Sequence, residues 1–303
     1  MSLRAISARP LVVVSFLFGI ITPILVLASE GDSLTIFVTG SLRGRAGGCV
    51  CPGGGYGGLD RRQTAINNQF EGIDYFGIDC GGFLDLDPEG GQQASLCTML
   101  GLKRMGLKAA FVGMRDLFYG EKFLRSIADS AGVPLISANL IDSRTGAAVF
   151  LPWIEFEHSA KQFAITGIAE HQPERRYPGP GNITSISPDS VIKQLRETIP
   201  ENADFIVLLT DMSEANLRDF LPEFTELDIV FTSSRKIDST PPFEIAGITV
   251  VKPMRDGGAL DGVVITTSEN DDFQPRVFRT ILKEDVTPDV KTKNWLEGCL
   301  SGQ

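Results

Sequence analysis

The chain has 303 residues, of which 43% are hydrophobic and 22% are charged, as is typical of a globular protein with a sizeable core. It carries 38 acidic and 28 basic residues, for a net charge of −10. Because nucleic-acid binding requires lysine and arginine to neutralise phosphates, this acidity argues against a nucleic-acid partner and leaves a basic protein or a cation as candidates.

The first 28 residues predict a signal peptide or an N-terminal membrane anchor. Arg4 and Arg9 precede an uncharged apolar run over 11–28, and Val26 and Ala28 occupy the −3 and −1 positions of a cleavage site. The apolar run is nearly long enough to span a bilayer, so a retained anchor is the alternative. Both interpretations place the globular part outside the cytoplasm, in a periplasmic or extracellular location where disulfides form.

Short apolar strands alternate with amphipathic helices after this leader. In chain order, strands are predicted over 34–39, 75–79, 109–113, 135–138, 150–156, 163–168, 205–210 and 229–231, and helices over 59–70, 94–105, 121–131, 188–198 and 214–220. A glycine-rich loop is predicted over 44–58, an excursion loop over 172–188, and a closing hairpin or meander over 245–253 and 262–267. The alternation predicts an α/β domain over 32–285, followed by a C-terminal tail over 286–303.

Polar and charged residues follow several of the predicted strands directly. Five loops of this kind span 39–44, 79–82, 113–120, 209–212 and 232–236. Because the chemistry of α/β sheets lies in loops at the carboxyl ends of strands, these loops are predicted to converge on one site.

At these loops the chain resembles the calcineurin-like metallophosphoesterases, and most closely the branch of periplasmic 5′-nucleotidases and UDP-sugar hydrolases. The family's Gly-Gly-Leu-x-Arg-Arg motif stands at 57–62, and its Asp-x-Gly-Asp motif corresponds to 79–82. A longer family motif that begins with Met-Gly and ends with Gly corresponds to 105–120, and the family's Ser-Ala-Asn stands at 137–139. The resemblance covers 34–268, which corresponds to the N-terminal domain of that branch. It implies a four-layer α/β/β/α sandwich with two mixed sheets, and a two-metal site for phosphate-ester hydrolysis.

The positions that carry metal ligands in that family hold other residues here. Ser41 and Arg43 replace the first Asp and His, Gly82 replaces the bridging Asp, Met114 and Arg115 replace an Asn and a His, Asp211 replaces the fourth-loop His, and Ser234 and Lys236 or their neighbours replace the final His pair. Two divalent ions need several converging carboxylates and imidazoles, but the chain has only two histidines, His158 and His171. The sequence therefore predicts loss of dinuclear-metal phosphoesterase activity.

Cations stand in the loops that are predicted to converge, namely Arg43, Arg115, Arg235 and Lys236. One interpretation is that they replace lost metal charge by pairing with three acids of the same loops, Asp79, Asp116 and Asp211. The other is that they bind an anion such as phosphate.

The five cysteines leave at least one thiol without a partner inside the chain, because their number is odd. Cys49 and Cys51 lie in the glycine-rich loop, where one interpretation is a disulfide that pins the loop, with Cys80 or Cys97 as further partners. A thiolate metal site of Cys49, Cys51 and Cys80 is a second interpretation, and a redox or partner-linking role is a third. Cys299 is predicted to pair with Cys97 or to remain free.

These observations lead to one hypothesis and two alternatives. The chain is predicted to be an exported, non-hydrolytic protein that binds a ligand or another exported or membrane protein, without a cofactor unless the thiolates hold a metal. The first alternative is a divergent metal-dependent phosphoesterase or 5′-nucleotidase-like hydrolase that uses Asp79, Asp116 and Asp211. The second is a redox accessory protein that works through Cys49 and Cys51. Membrane contact is expected only through an uncleaved N-terminal segment.

Overall fold

A computed structural model describes residues 33–51, 54–171, 181–237, 241–266 and 275–302. The predicted leader over 1–28 and residues 172–180 of the predicted excursion loop lie outside these residues. Within the described residues, no helix is both long enough and apolar enough to cross a bilayer.

Strands and helices alternate along the chain as the sequence predicts. The strands are β1 (Ser33–Thr39), β2 (Cys49–Cys51), β3 (Gly54–Tyr56), β4 (Tyr75–Asp79), β5 (Leu107–Phe111), β6 (Leu135–Ile136), β7 (Leu140–Asp142), β8 (Trp153–His158), β9 (Lys161–Ile168), β10 (Ile183–Ser185), β11 (Phe205–Thr210), β12 (Ile229–Thr232), β13 (Phe243–Ile245), β14 (Ile248–Val251), β15 (Ala259–Thr266) and β16 (Arg276–Ile281). The helices are α1 (Leu59–Gln69), α2 (Gly91–Arg104), α3 (Glu121–Ala131), α4 (Asp189–Thr198), α5 (Glu214–Phe220) and α6 (Val290–Leu300). Short 3₁₀ turns span Met114–Leu117, Leu221–Glu223 and Arg255–Gly257.

Two large mixed sheets form the centre of the molecule. The first has the order β16-β15-β1-β4-β5-β6 and the second the order β13-β14-β12-β11-β9-β8. In the first sheet β1, β4, β5 and β6 are parallel, and in the second β9, β11, β12 and β14 are parallel. Each sheet therefore presents several adjacent carboxyl ends, which is where the predicted site loops begin.

The alternation of side chains along the strands separates two hydrophobic cores. In β11, Val207 and Leu209 belong to the larger core, together with Phe37 and Phe76 of the first sheet, whereas the intervening Leu208 belongs to the smaller core beneath α4 and α5. Because successive side chains of a strand point to opposite faces, the second sheet packs on the first sheet with one face and on helices with the other. Helices α1, α2 and α3 cover the remaining face of the first sheet. The predicted four-layer α/β/β/α sandwich is confirmed.

The predicted closing hairpin is wrong, because its two segments lie in different sheets. Strand β14 pairs with the parallel strand β12 of the second sheet and forms its hairpin with β13, whereas β15 pairs antiparallel with β1 of the first sheet. The turn at Arg255–Gly257 carries the chain between the sheets, and Met254 N donates to the Asp261 carboxylate across it (2.7 Å). An apolar alternation identifies strands but does not specify which sheet they join.

The residues predicted to form a C-terminal tail over 286–303 instead contain α6, which packs against α1 and α2. Asp289 caps this helix by accepting from Thr292 N (2.7 Å). A disulfide joins Cys299 in α6 to Cys97 in α2, with the Cα atoms 5.9 Å apart. The predicted pairing of Cys299 with Cys97 is confirmed, and the C-terminal segment is an integral part of the domain.

Candidate functional site

Loops from both sheets meet at a cleft of about 290 Å³. It is lined by residues that follow the carboxyl ends of three strands in each sheet. Ser41 follows β1, Gly82 follows β4, Arg115 and Asp116 follow β5, Glu170 follows β9, Asp211 follows β11, and Arg235 and Lys236 follow β12. The predicted convergence of the strand-end loops is therefore confirmed, and the strand rule that located them holds for both sheets.

Asp79 is retained from the family pattern but does not line the cleft. Its side chain is completely buried, and its carboxylate accepts hydrogen bonds from Thr39 Oγ1 (2.5 Å) and Gly81 N (2.8 Å). Burial raises the pKa of Asp79, while these two donors and the nearby guanidinium of Arg62 oppose the rise. Both carboxylate oxygens are thus committed to holding the second loop in place.

Asp116 forms the floor of the cleft beside Asp79. Gly82 N lies 3.0 Å from both of its carboxylate oxygens, and Gly113 N donates to Oδ2 at 3.2 Å. Burial raises the pKa of Asp116 to about 7; the charges of Asp79 and Asp211 raise it further, and the hydrogen bonds from Gly82 N and Gly113 N oppose the rise. Near neutral pH this carboxyl group exchanges between its neutral and charged forms.

Asp211 faces Asp116 across Gly113. A Cβ atom built on Gly113 would lie 2.6 Å from Asp211 Oδ2, so the glycine allows the close approach of the β5 and β11 loops. Asp211 Oδ1 accepts from Glu170 N at 2.7 Å. Burial raises the pKa of Asp211 to about 6, with the charge of Glu170 raising it further and that of Lys236 lowering it. The floor therefore holds two carboxyl groups with raised pKa values.

Glu170 is a charged residue of the cleft that sequence reasoning missed. Its side chain is 5% exposed and accepts hydrogen bonds from Lys236 Nζ (3.0 Å to each oxygen), Asn216 Nδ2 (2.9 Å) and Ser213 N (3.2 Å). It lies two residues after β9, a strand that the sequence predicts. Applying the strand-end rule to β9, as to the other strands, would have identified it.

The predicted pairing of the site cations with Asp79, Asp116 and Asp211 is wrong for the described residues. Lys236 pairs with Glu170 instead, and Arg43 approaches Asp256 (Nη1–Oδ1 3.5 Å). Neither Arg115 nor Arg235 has an ion-pair or hydrogen-bond partner for its side chain in the described part of the chain. Two guanidinium groups at the cleft are therefore available to an external anion.

Arg43 lies beside these cations in a strained position. Its backbone is left-handed (φ 56°), as is that of Ser41 (φ 51°), and its Nε atom is buried without a hydrogen-bond partner among the described residues. Burial lowers the pKa of Arg43; the charge of Asp256 opposes this, and the charges of Arg235, Arg115 and Arg255 reinforce it. The effect of three other guanidinium groups on Arg43 shows that positive charge is concentrated here.

The side chains at the cleft do not fit the dinuclear metal site that the resemblance implies. The described residues contain no group of three or more His, Cys, Asp or Glu side chains arranged to hold a metal ion. Gly82, which stands where the bridging aspartate is expected, has φ 74°, and a Cβ atom there would lie 3.1 Å from Ser41 Cα. The backbone at this position therefore disfavours any side chain, including that of an aspartate ligand.

Neither histidine contributes a ligand to the cleft. His158 is on β8 and pairs with Asp74 (Nε2–Oδ1 2.9 Å). His171 follows β9 but lines a separate cavity with Met212 and Asn216, and its Nδ1 lies 3.2 Å from Ser185 Oγ.

The cysteines are only partly accounted for by the structure. Cys80 is a free, fully buried thiol that donates to Thr39 O (3.1 Å), so a disulfide from the glycine-rich loop to Cys80 or to the already paired Cys97 is wrong. Burial raises the pKa of Cys80 well above its ordinary value, which disfavours the thiolate that a metal would require. The side chains of Cys49 and Cys51 lie outside the described part of the structure, so their predicted metal-binding or redox role stays a prediction.

The same fold occurs in several solved structures. Sulfate thiohydrolase SoxB from Thermus thermophilus is 13% identical, with a TM-score of 0.76 over 91% of this chain and 62% of that protein. A 5′-nucleotidase precursor from the same species is 14% identical, with a TM-score of 0.72 over 89% of this chain and 59% of that protein. The calcineurin-like phosphoesterase YfkN from Bacillus subtilis is 15% identical, with a TM-score of 0.67 over 89% and 98% of the two chains. No protein-family profile and no curated protein matches the chain in sequence.

These similarities confirm the predicted metallophosphatase fold. The chain spans 62% and 59% of the lengths of the first two proteins. At such low sequence identity the likeness concerns the arrangement of the backbone, since one fold supports many different sites.

Proposed function

We propose that this protein is an exported binding protein of metallophosphatase fold, which holds an oxyanion in the cleft and lacks dinuclear-metal phosphoesterase activity. The single observation that carries the proposal is the pair of unpartnered guanidinium groups, Arg115 and Arg235, at the carboxyl ends of β5 and β12 in the described part of the chain. Guanidinium groups bind phosphate, sulfate and carboxylate oxygens through paired N–H donors.

The floor of the cleft is compatible with an anion when its acids are neutral. Asp116 and Asp211 have pKa values of about 7 and about 6, so mildly acidic conditions protonate them and convert them into hydrogen-bond donors. Glu170 does not repel an anion strongly, because Lys236 neutralises it within the protein. While Asp116 and Asp211 are neutral, the cleft therefore carries net positive charge, because Arg115, Arg235 and Lys236 face Glu170 alone.

The binding role extends to a partner outside the cytoplasm. The uncharged leader after Arg4 and Arg9 supports export, and the cleft opens at the strand ends, where proteins of α/β architecture bind their ligands. An anionic group on another exported or membrane protein would satisfy the same guanidinium groups as a free oxyanion. The protein would then act as a subunit of a complex instead of as an enzyme.

Isothermal titration calorimetry, which measures the affinity of the protein for inorganic phosphate, tests the proposal. Arg235→Gln is expected to weaken phosphate binding about fivefold to tenfold, because one charge-assisted hydrogen-bonding group is lost. Arg144→Gln is the matched control. Arg144 also carries one charge, but it pairs with Asp142 (3.0 Å) and does not line the cleft. Equal phosphate affinity in the Arg235 variant and the wild type would refute the proposal.

A metal-dependent hydrolase is the second candidate function, and the buried acids at the floor favour it. Asp116 and Asp211 have the raised pKa values that catalytic acids and bases often show. Purified protein is incubated with manganese or cobalt, and both bound metal and phosphodiester turnover are measured. Two metal ions per chain together with turnover that Asp211→Asn abolishes would establish this function and exclude the binding role as the sole activity.

A further inference from the structure

A second groove lies next to the cleft and shares a wall with it. It has a volume of about 540 Å³ and is lined in part by Arg43, Arg45 and Asp85, while Arg115 and Leu86 line both this groove and the cleft. The half-buried Arg115 side chain therefore stands between two adjoining spaces. We call the second space the basic groove.

The basic groove has more positive than negative charge among its described residues. Arg43 and Arg45 both approach the same carboxylate, Asp256, at 3.5 Å and 3.3 Å, and Arg255 lies 4.0 Å from it. One carboxylate thus faces three guanidinium groups. Asp85 is the acidic residue in the lining, and its Oδ1 accepts from Asp87 N (3.0 Å). The excess of guanidinium charge is concentrated on a chain whose overall net charge is −10, so it is a local feature and not a property of the whole surface.

The walls of the basic groove leave space for an extended ligand. Gly47 lines the groove, and a Cβ atom built on it would meet nothing within 4 Å. Leu300, which is 42% exposed, supplies an apolar contact at the margin. A backbone without side chains allows a ligand to approach closely, and the apolar margin accommodates its uncharged part.

We infer that the cleft and the basic groove together bind one ligand that carries two anionic groups, with one group at Arg235 and Arg115 and the other at Arg43 and Arg45. This rests on the proposed function for the first group and adds the second subsite. The required chemistry is two phosphate, sulfate or carboxylate groups joined by a short linker. Either a small polyphosphorylated molecule or an acidic peptide segment supplies it.

The Arg43→Gln/Arg45→Gln double variant tests the second subsite by titration calorimetry with two probes at constant ionic strength. Inorganic phosphate occupies one subsite at a time, whereas tripolyphosphate offers linked phosphate groups to both. Wild-type protein is expected to bind tripolyphosphate at least about tenfold more tightly than phosphate, and the double variant to lose about tenfold in tripolyphosphate affinity and a clearly smaller factor in phosphate affinity. Arg144→Gln again controls for the loss of a surface charge. Arg45→Glu is the second variant if the double variant does not fold, because Arg45 is an exposed side chain.

The outcomes separate this inference from the proposed function. If the double variant binds tripolyphosphate as tightly as the wild type, or loses phosphate and tripolyphosphate affinity equally, the second subsite is refuted. If Arg235→Gln changes neither phosphate nor tripolyphosphate affinity but the double variant weakens tripolyphosphate binding, the cleft proposal fails and the basic groove remains. Competition by a hexaglutamate peptide against tripolyphosphate identifies a peptide as the source of the anions, and competition only by phosphorylated small molecules identifies a metabolite.

Discussion

Gly82 gives the sharpest test of why the cleft does not accept the metal ligand that the resemblance implies. Two effects oppose a side chain there. The left-handed backbone (φ 74°) disfavours any L-residue with a Cβ atom by about 1 kcal/mol, and that atom would lie 3.1 Å from Ser41 Cα and 3.3 Å from Ser41 Oγ. Overpacking of this kind typically adds about 1–3 kcal/mol. Gly82→Ala is therefore expected to destabilise the protein by about 2–4 kcal/mol.

Gly132 provides the matched control, because it separates the two effects. It caps α3 in a left-handed conformation (φ 61°), but a Cβ atom there would meet nothing within 4 Å. Gly132→Ala should show the conformational penalty of about 1 kcal/mol without the crowding. Urea unfolding monitored by circular dichroism measures both variants, with an unchanged m-value as evidence that stability alone has changed.

The result also bears on the function of the cleft. If Gly82→Ala is no more destabilising than Gly132→Ala, the crowding argument is refuted and an aspartate at position 82 is sterically acceptable. Gly82→Asp extends the test, because it restores the expected bridging carboxylate beside Asp116. We expect this variant to be at least as unstable as Gly82→Ala and to bind no dinuclear manganese, and two bound metal ions per chain would contradict that expectation.

Three further predictions concern stability and binding. Cys97→Ser removes a disulfide that joins residues 202 positions apart, and should lower the free energy of unfolding by about 4 kcal/mol in urea, a loss that reducing agent should reproduce in the wild type. Thr39→Val keeps the side-chain shape but removes the donor to the buried Asp79 carboxylate, so a destabilisation of about 1.5–3 kcal/mol is expected, and no change would contradict the assigned hydrogen bond. Sulfate affinity, measured by calorimetry between about pH 5.5 and about pH 8, should fall as pH rises. Over this range Asp116 (pKa about 7) and Asp211 (pKa about 6) change from neutral hydrogen-bond donors to negative charges that repel the anion. Asp211→Asn should make the affinity less dependent on pH.

Much of the fold could be predicted because its determinants are local. The strands β4 and β11 and the helices α3 and α5 begin and end at the predicted residues, since apolar periodicity and turn residues specify them. The sheet assignment of β14 and β15 could not be predicted in this way, because an apolar segment does not specify its partner strand. β14 joins β12 in parallel across the intervening β13, and β15 joins β1 at the opposite end of the described chain.

The candidate site was predictable in position but not in its contacts. The strand-end rule located the loops, whereas the partner of each charged side chain depends on distances between loops from two sheets. Lys236 pairs with Glu170, and Arg43 with Asp256, although the sequence offers equal reason to pair either with Asp79 or Asp211. Charge complementarity along a sequence does not identify which of several nearby acids is within reach.

The backbone of the first two loops explains how this fold is held without the metal ligands that the resemblance implies. Ser41 N donates to Gly81 O (2.7 Å) and Arg43 N donates to Gly82 O (3.0 Å), so the two loops are joined by hydrogen bonds that involve no side chain. Asp79 is also held by protein donors, Thr39 and Gly81, and therefore retains a structural role when no metal is bound. Its presence consequently carries no weight as evidence for hydrolysis. The strands and the first two loops are therefore held independently of metal coordination, so one backbone arrangement is compatible with different sets of side chains at the cleft.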